Sequence, residues 1–146
     1  MDEHEVKEDI QIDIYYPDHP PRKESELFRK SRQHLIDELD TPCFICGSKE
    51  DRELHHYYVE WAEADAIDWN GKIRTDHPNF DWSKFKSPED FVDSEYNMMV
   101  LCKKHHRLKD HGIHMMPYPN WIIQKYIRSD FVYTPSIYGY APISQK

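Results

Sequence analysis

Apolar positions in this chain come in short patches separated by long polar stretches, and the spacing within each patch predicts an element. Leu27, Phe28, Leu35, Ile36 and Leu39 recur at helical spacing, so residues 25–39 are expected to form an amphipathic helix, N-capped by Ser25 and stopped by Thr41 and Pro42. The run LHHYYVEW at 54–61 reads as a strand, and Tyr96–Leu101 as a second short strand. A helix is expected over Cys102–His111, ended by Gly112, and another over residues 120–128, capped by Asn120, with Trp121, Ile122 and Tyr126 in the core. Between the strands, Gly71, Pro78 and Pro88 break residues 62–91 into a short helix around 60–68, irregular structure, and a helical turn starting at Ser87–Pro88.

The two ends read differently. Residues 1–13 carry six acids against one lysine and are expected to be mobile, while YYPDHPPRK at 15–23 has three prolines and suits an extended arm. Residues 131–146 alternate aromatic and turn residues, as an extended tail would. The expected organisation is an acidic tail and arm over 1–24, one α+β domain over 25–134 with an insertion at about 62–91, and a C-terminal tail over 135–146.

Composition narrows the class. No apolar run approaches the roughly 20 residues that a membrane span needs, so a soluble chain is expected, with no membrane partner. Three cysteines make no even disulfide framework, and no apolar leader precedes them, which favours a reducing cytoplasm and thiolate ligands. The net charge of -8 argues, taken alone, against a nucleic-acid binder. Its distribution softens that argument: residues 60–95 hold ten acids against four bases, whereas Lys103, Lys104, Arg107 and Lys109 are opposed only by Asp110. Arg22, Lys23, Arg29, Lys30 and Arg32 form a second basic group, opposed only by Glu24 and Glu26. Either basic cluster taken alone is an ordinary solvated face.

The chemistry concentrates in residues 97–114, NMMVLCKKHHRLKDHGIH, which hold one cysteine, four histidines and an asparagine. Buried imidazoles and thiolates need partners, and metal is the partner that explains such a density. Cys43-x-x-Cys46 on a turn whose Gly47 can take positive φ, and Cys102-x-x-His105 at a strand-to-helix junction, each present two ligands on one side of the backbone. Together they supply three sulfurs and one nitrogen, a closed tetrahedral set suited to a structural zinc. His55, His56, His106, His111 and His114 remain. Adjacent strand residues point to opposite faces, so His55 and His56 cannot both serve one ion without a bulge, and His106 sits about 100° round the helix from His105.

This arrangement resembles the HNH nucleases, the ββα-metal family. The resemblance rests on Cys43-x-x-Cys46, LHH with His55 and His56, Asn97 in YNMMVLC, and Cys102-x-x-His105-His106, and it covers residues 43 to about 114. It implies a small ββα-metal core braced by structural zinc, with flanking helices. It implies that His56 is the general base, that His55 and His106 bind a catalytic divalent ion, and that Asn97 pins the loop between the strands. The further metal ligand is Asp110, His111 or His114, and Lys103, Lys104, Arg107 and Lys109 are the candidate DNA contacts. The implied activity is metal-dependent hydrolysis of DNA phosphodiester bonds, by nicking or double-strand cleavage, with Mg2+, Mn2+ or Ni2+, leaving a 5′ phosphate and a 3′ hydroxyl. Imidazole in place of a carboxylate at position 55 shifts metal preference toward softer ions. Small freestanding members occur in phages and mobile elements, which would place the chain in a host cytoplasm. A protein partner or a homodimer stays open. Two rival readings stand beside this one: a zinc module that binds protein or DNA without cutting, and an acidic inhibitor that mimics DNA.

Overall fold

The computed structural model describes residue 11, residues 13–19 and residues 21–131. Most of the acidic stretch and of the C-terminal tail thus lies outside the described residues. The fold combines helices with one two-stranded antiparallel sheet, an α+β arrangement. Among the described residues no helix is long and apolar enough to cross a membrane.

Helix α1, Glu26–Arg32, begins where the Ser25 hydroxyl accepts the Phe28 amide, as its sequence pattern requires, and continues in wider π-type turns over Gln33–Glu38. Strand β1, Arg52–His56, pairs with β2, Met98–Cys102, so that His55 lies opposite Met99 and His56 opposite Met98. The strand expected through Trp61 stops at His56. Tyr57 instead donates its amide to the Asn97 carbonyl, and Asn97 then takes over the next turn, accepting from the amides of Tyr58 (2.8 Å) and Val59 (3.1 Å). The Asn97 amide donates to the carbonyls of Val59 and Val92, so this fully buried side chain joins both sides of the inter-strand connection.

The insertion builds a small aromatic core of its own. After a 3₁₀ segment at Trp61–Ala66 and helix α2 at Lys72–Asp76, a second 3₁₀ turn at Trp82–Lys84 and helix α3 at Glu89–Val92 close over Phe91. Phe91 is fully buried, and Trp82 stacks on it at 5.5 Å with the planes 7° apart. Trp69, Phe80, Phe85 and Tyr96 surround the pair. Arg74 covers this cluster with its guanidinium 4.9 Å from the Trp82 ring.

The second core is formed by Cys43, Ile45, Met99, Leu101, Cys102 and Trp121. Helix α4 occupies only Lys103–Arg107, four residues short of the expected end, because Leu108 turns extended (ψ 140°) and Asp110 takes a left-handed φ of 69°. Gly112 is therefore not the positive-φ cap that its position suggested; among the described glycines that conformation belongs to Gly47. Gly112 instead passes against α4, where an added Cβ would lie 2.6–2.8 Å from backbone atoms of Arg107. Helix α5, Tyr118–Ile122, starts after Pro117, which places Asn120 inside the helix rather than at its cap. Trp121 is fully buried as expected and donates its indole N–H to the His105 carbonyl at 2.8 Å, whereas Tyr126 is 73% exposed and not core.

Replacing Gly112 by alanine should force the 108–114 loop away from α4 and lower stability by about 1–3 kcal/mol, measured by urea unfolding of the metal-loaded protein. An unchanged midpoint would show that the loop can shift without cost.

Candidate metal centres

The first centre assembles where the 43–46 turn meets the end of β2. Gly47, at φ 77°, lets the turn close, and the Phe44 amide bonds the Val100 carbonyl, fixing the turn against the sheet. One ligand atom each from Cys43, Cys46, Cys102 and His105 lies within 4.8 Å of the others. Cys102 Sγ stands 3.3 Å from His105 Nδ1 and 3.8 Å from Cys46 Sγ. Cys43, Cys102 and His105 are buried. The Cys102 thiol donates to Cys43 and holds Cys43 well below the usual thiol range, while the same shared proton pushes Cys102 up and burial pushes Cys46 up. Without a cation only one thiolate is comfortable here; a divalent ion would stabilise all three. The donor set fits zinc, with every tetrahedral position filled by protein.

The second centre lies on the other side of α4. His106, the next residue round the helix from His105, faces β1, and the loop after Arg107 doubles back so that the His114 amide reaches the His106 carbonyl at 3.3 Å. Nitrogens of His55, His106 and His114 lie within 4.8 Å of one another. His114 Nε2 and His106 Nε2 approach to 3.1 Å, and His55 Nδ1 is buried with no hydrogen-bond partner. An orphaned buried nitrogen beside two converging ones is what a ligand set looks like when lone pairs all point inward.

Glu53 organises the set from behind. Side chains two apart on a strand share a face, so Glu53 stands beside His55 and reaches His106 Nδ1 at 2.8 Å, while Arg107 binds its other oxygen. A carboxylate accepts only, so His106 carries its proton on Nδ1 and offers Nε2 inward. Burial pushes all three histidines below the usual imidazole range, His55 to about 3, where His114 and His106 add to the effect. All three are neutral at pH 7 and ready to bind a cation.

Of the three alternatives for the further ligand, His114 is the one brought to the cluster. Asp110 and His111 are not, because α4 ends at Arg107 and neither sits one turn beyond His106 on a continuing helix. His111 is buried elsewhere, with Nδ1 3.0 Å from Gln124 Oε1 and its carbonyl accepting from Gln124 Nε2. Among the expected DNA contacts, Lys103 and Lys109 are exposed, Lys104 is half-buried with its ammonium pKa lowered by that burial, and Arg107 is exposed but paired with Glu53.

His56 faces away from His55, as strand geometry demands, and packs against Phe28 of α1. Its Nε2 lies 3.0 Å from Asp93 Oδ1. Asp93 also accepts the Ser25 hydroxyl at 2.7 Å and stands 4.0 Å from Arg22; burial works against its charge, but the bonds from His56 and Ser25 outweigh that and hold it below the usual carboxylate range. In the neutral ring the His56 proton therefore sits on Nε2, which leaves the lone pair on Nδ1. Glu60 bridges the two faces, 3.8 Å from His55 Nδ1 and 4.0 Å from His56 Nδ1, with its pKa raised by burial. Sequence reasoning missed Glu53, Glu60 and Asp93. Strand alternation signalled Glu53; nothing local signalled Asp93, which lies 37 residues from His56.

The chain matches no family model, no curated protein and no solved structure.

Two measurements check these centres. The purified protein should hold close to one tightly bound zinc, lost together with the fold in Cys46→Ser, as elemental analysis and circular dichroism would show; a folded, zinc-free protein contradicts the assignment. At the second centre, nickel titration at pH 6.5 in buffers of differing ionisation enthalpy should show less proton release than three ordinary imidazoles would give, because burial holds all three below the usual range. Ordinary imidazoles would release about half a proton each at that pH.

Proposed function

We propose that this chain is a metal-dependent endonuclease of the HNH, or ββα-metal, kind that hydrolyses DNA phosphodiester bonds. The observation that carries this reading is the pairing of a three-histidine cluster with His56, whose Nδ1 lone pair is preset by Asp93, on opposite faces of one strand end. The order β1, β2, α4 and the Cys-Cys-Cys-His centre agree with the family pattern.

In this reading His55, His106 and His114 hold a divalent ion that would bind the scissile phosphate and stabilise its developing charge. His56 takes a proton from the attacking water at Nδ1, and Asp93 steadies the imidazolium that results. Asn97 does not touch substrate; it fixes the turn after His56 and so the aim of that ring. Three nitrogen ligands favour manganese, nickel or zinc over magnesium. A zinc held by the Cys3His set would be structural.

The second reading, a zinc module that binds without cutting, is favoured by the net charge of -8 and by Glu53 drawing Arg107 out of the basic face.

Plasmid nicking with magnesium, manganese or nickel, with and without chelator, separates the two. His56→Ala should lose on the order of 10² to 10⁴ in rate while nickel affinity stays at the wild-type value. His55→Ala and His106→Ala should instead lose affinity for the ion and recover partly as its concentration rises. Asp93→Asn should slow cutting by about tenfold or more without weakening nickel binding. If all four variants cut at the wild-type rate, the zinc-module reading replaces the nuclease reading.

A further inference from the structure

The turn after His56 displays its side chains unusually. Tyr57 and Tyr58 are 45% and 49% exposed, yet the backbone beneath them is held by Asn97 through the Tyr57 and Tyr58 amides. Their rings stand 4.5 Å apart, and Tyr58 leans on His77 at 4.4 Å. These are half-exposed rings on a rigid mount, not loose surface side chains. Partial burial pushes the Tyr57 hydroxyl up, and Tyr118 and Tyr58 close by add to the shift, so Tyr118, itself 56% exposed, belongs to the same patch.

The patch continues into a cleft of about 410 Å³ walled by Tyr57 and Phe44 and floored by Met98 and Val100. Phe44 is 40% exposed, and the Lys125 ammonium lies 3.6 Å from its ring centre. Rigid aromatic rings, an apolar slot and a cation at its end are the components with which proteins hold unstacked bases beside a phosphate chain. The net charge of -8 works against phosphate binding overall, so affinity for a strand would have to come from these rings and from Lys125. Tyr57 and Tyr58 directly follow His55 and His56 in the chain.

We infer that Tyr57, Tyr58 and the Phe44 cleft form a stacking shelf for unpaired nucleobases, and that the substrate is nucleic acid with single-stranded character rather than continuous duplex. This rests on the nuclease reading for its chemistry but not for its binding. The test uses the full-length protein with no more than one equivalent of zinc and no other divalent ion, so that the three-histidine site stays empty and nothing is cut. Anisotropy should show a fluorescent oligothymidylate strand binding at least about tenfold tighter than a duplex of equal length, with quenching of tyrosine emission on binding. Tyr57→Ala and Tyr58→Ala should each weaken single-strand binding by about tenfold, and Tyr57→Phe should keep it, since a ring without its hydroxyl still stacks. Zinc content and circular dichroism establish that each variant is folded, and a variant that fails there is replaced by its leucine counterpart, which fills space but does not stack. Duplex binding as tight as single-strand binding, binding of neither, or alanine variants indistinguishable from wild type would overturn the shelf. A protein that nicks plasmid while its alanine variants bind normally retains the nuclease reading and loses the shelf. One that binds single strands through these tyrosines but never cuts retains the shelf and loses the nuclease reading.

Discussion

Everything around the two centres depends on one junction, the Cys3His set that ties the 43–46 turn to the end of β2 and the start of α4. Among the described residues the sheet has two strands, and α4 has five residues, too little to hold a helix in place by packing alone. A structural zinc contributes roughly 10 to 16 kcal/mol of binding free energy to such small units, comparable to the entire stability of a domain. Through His105 a bound zinc would set the rotation of α4, and the rotation decides where His106 points. Trp121 locks the same turn from the other side through the His105 carbonyl.

The second centre follows from this as a consequence of geometry. With α4 fixed, His106 faces β1, Glu53 sets its tautomer, and the returning loop delivers His114. Desolvation keeps all three imidazoles neutral, at the cost of leaving His55 Nδ1 without a partner. Such a buried orphan costs about 1–3 kcal/mol, and Glu60, 3.8 Å away, is its nearest charged neighbour among the described residues. On the opposite face the buried Asp93 links His56 to the N-cap of α1, which ties the helix before the 43–46 turn to the end of β1.

Much of this was legible in the sequence where local rules govern. Cys-x-x-Cys and Cys-x-x-His spacing, the opposed directions of His55 and His56, and the Ser25 cap all rest on covalent neighbours and strand or helix periodicity. The choice of His114 over Asp110 or His111 was not legible, because it turns on where α4 stops, and that depends on an extended Leu108 and a left-handed Asp110 packed by Gly112 against Arg107. The same holds for the aromatic core inside the insertion, whose Trp69, Trp82 and Phe91 show no helical or strand period, and for Asp93, whose role exists only through space. Asn120 looked like a cap, but Pro117 starts α5 earlier.

With both centres filled, one chain would hold two metals of unlike chemistry, one among sulfurs and one among nitrogens. X-ray absorption at the zinc edge tests it directly. With one equivalent of zinc, the first shell should fit three sulfurs at about 2.3 Å and one nitrogen at about 2.0–2.1 Å. A nickel-edge spectrum of the same protein after one added equivalent of nickel should show nitrogen and oxygen neighbours only. Sulfur around the nickel, or zinc lacking three sulfurs, would contradict the account.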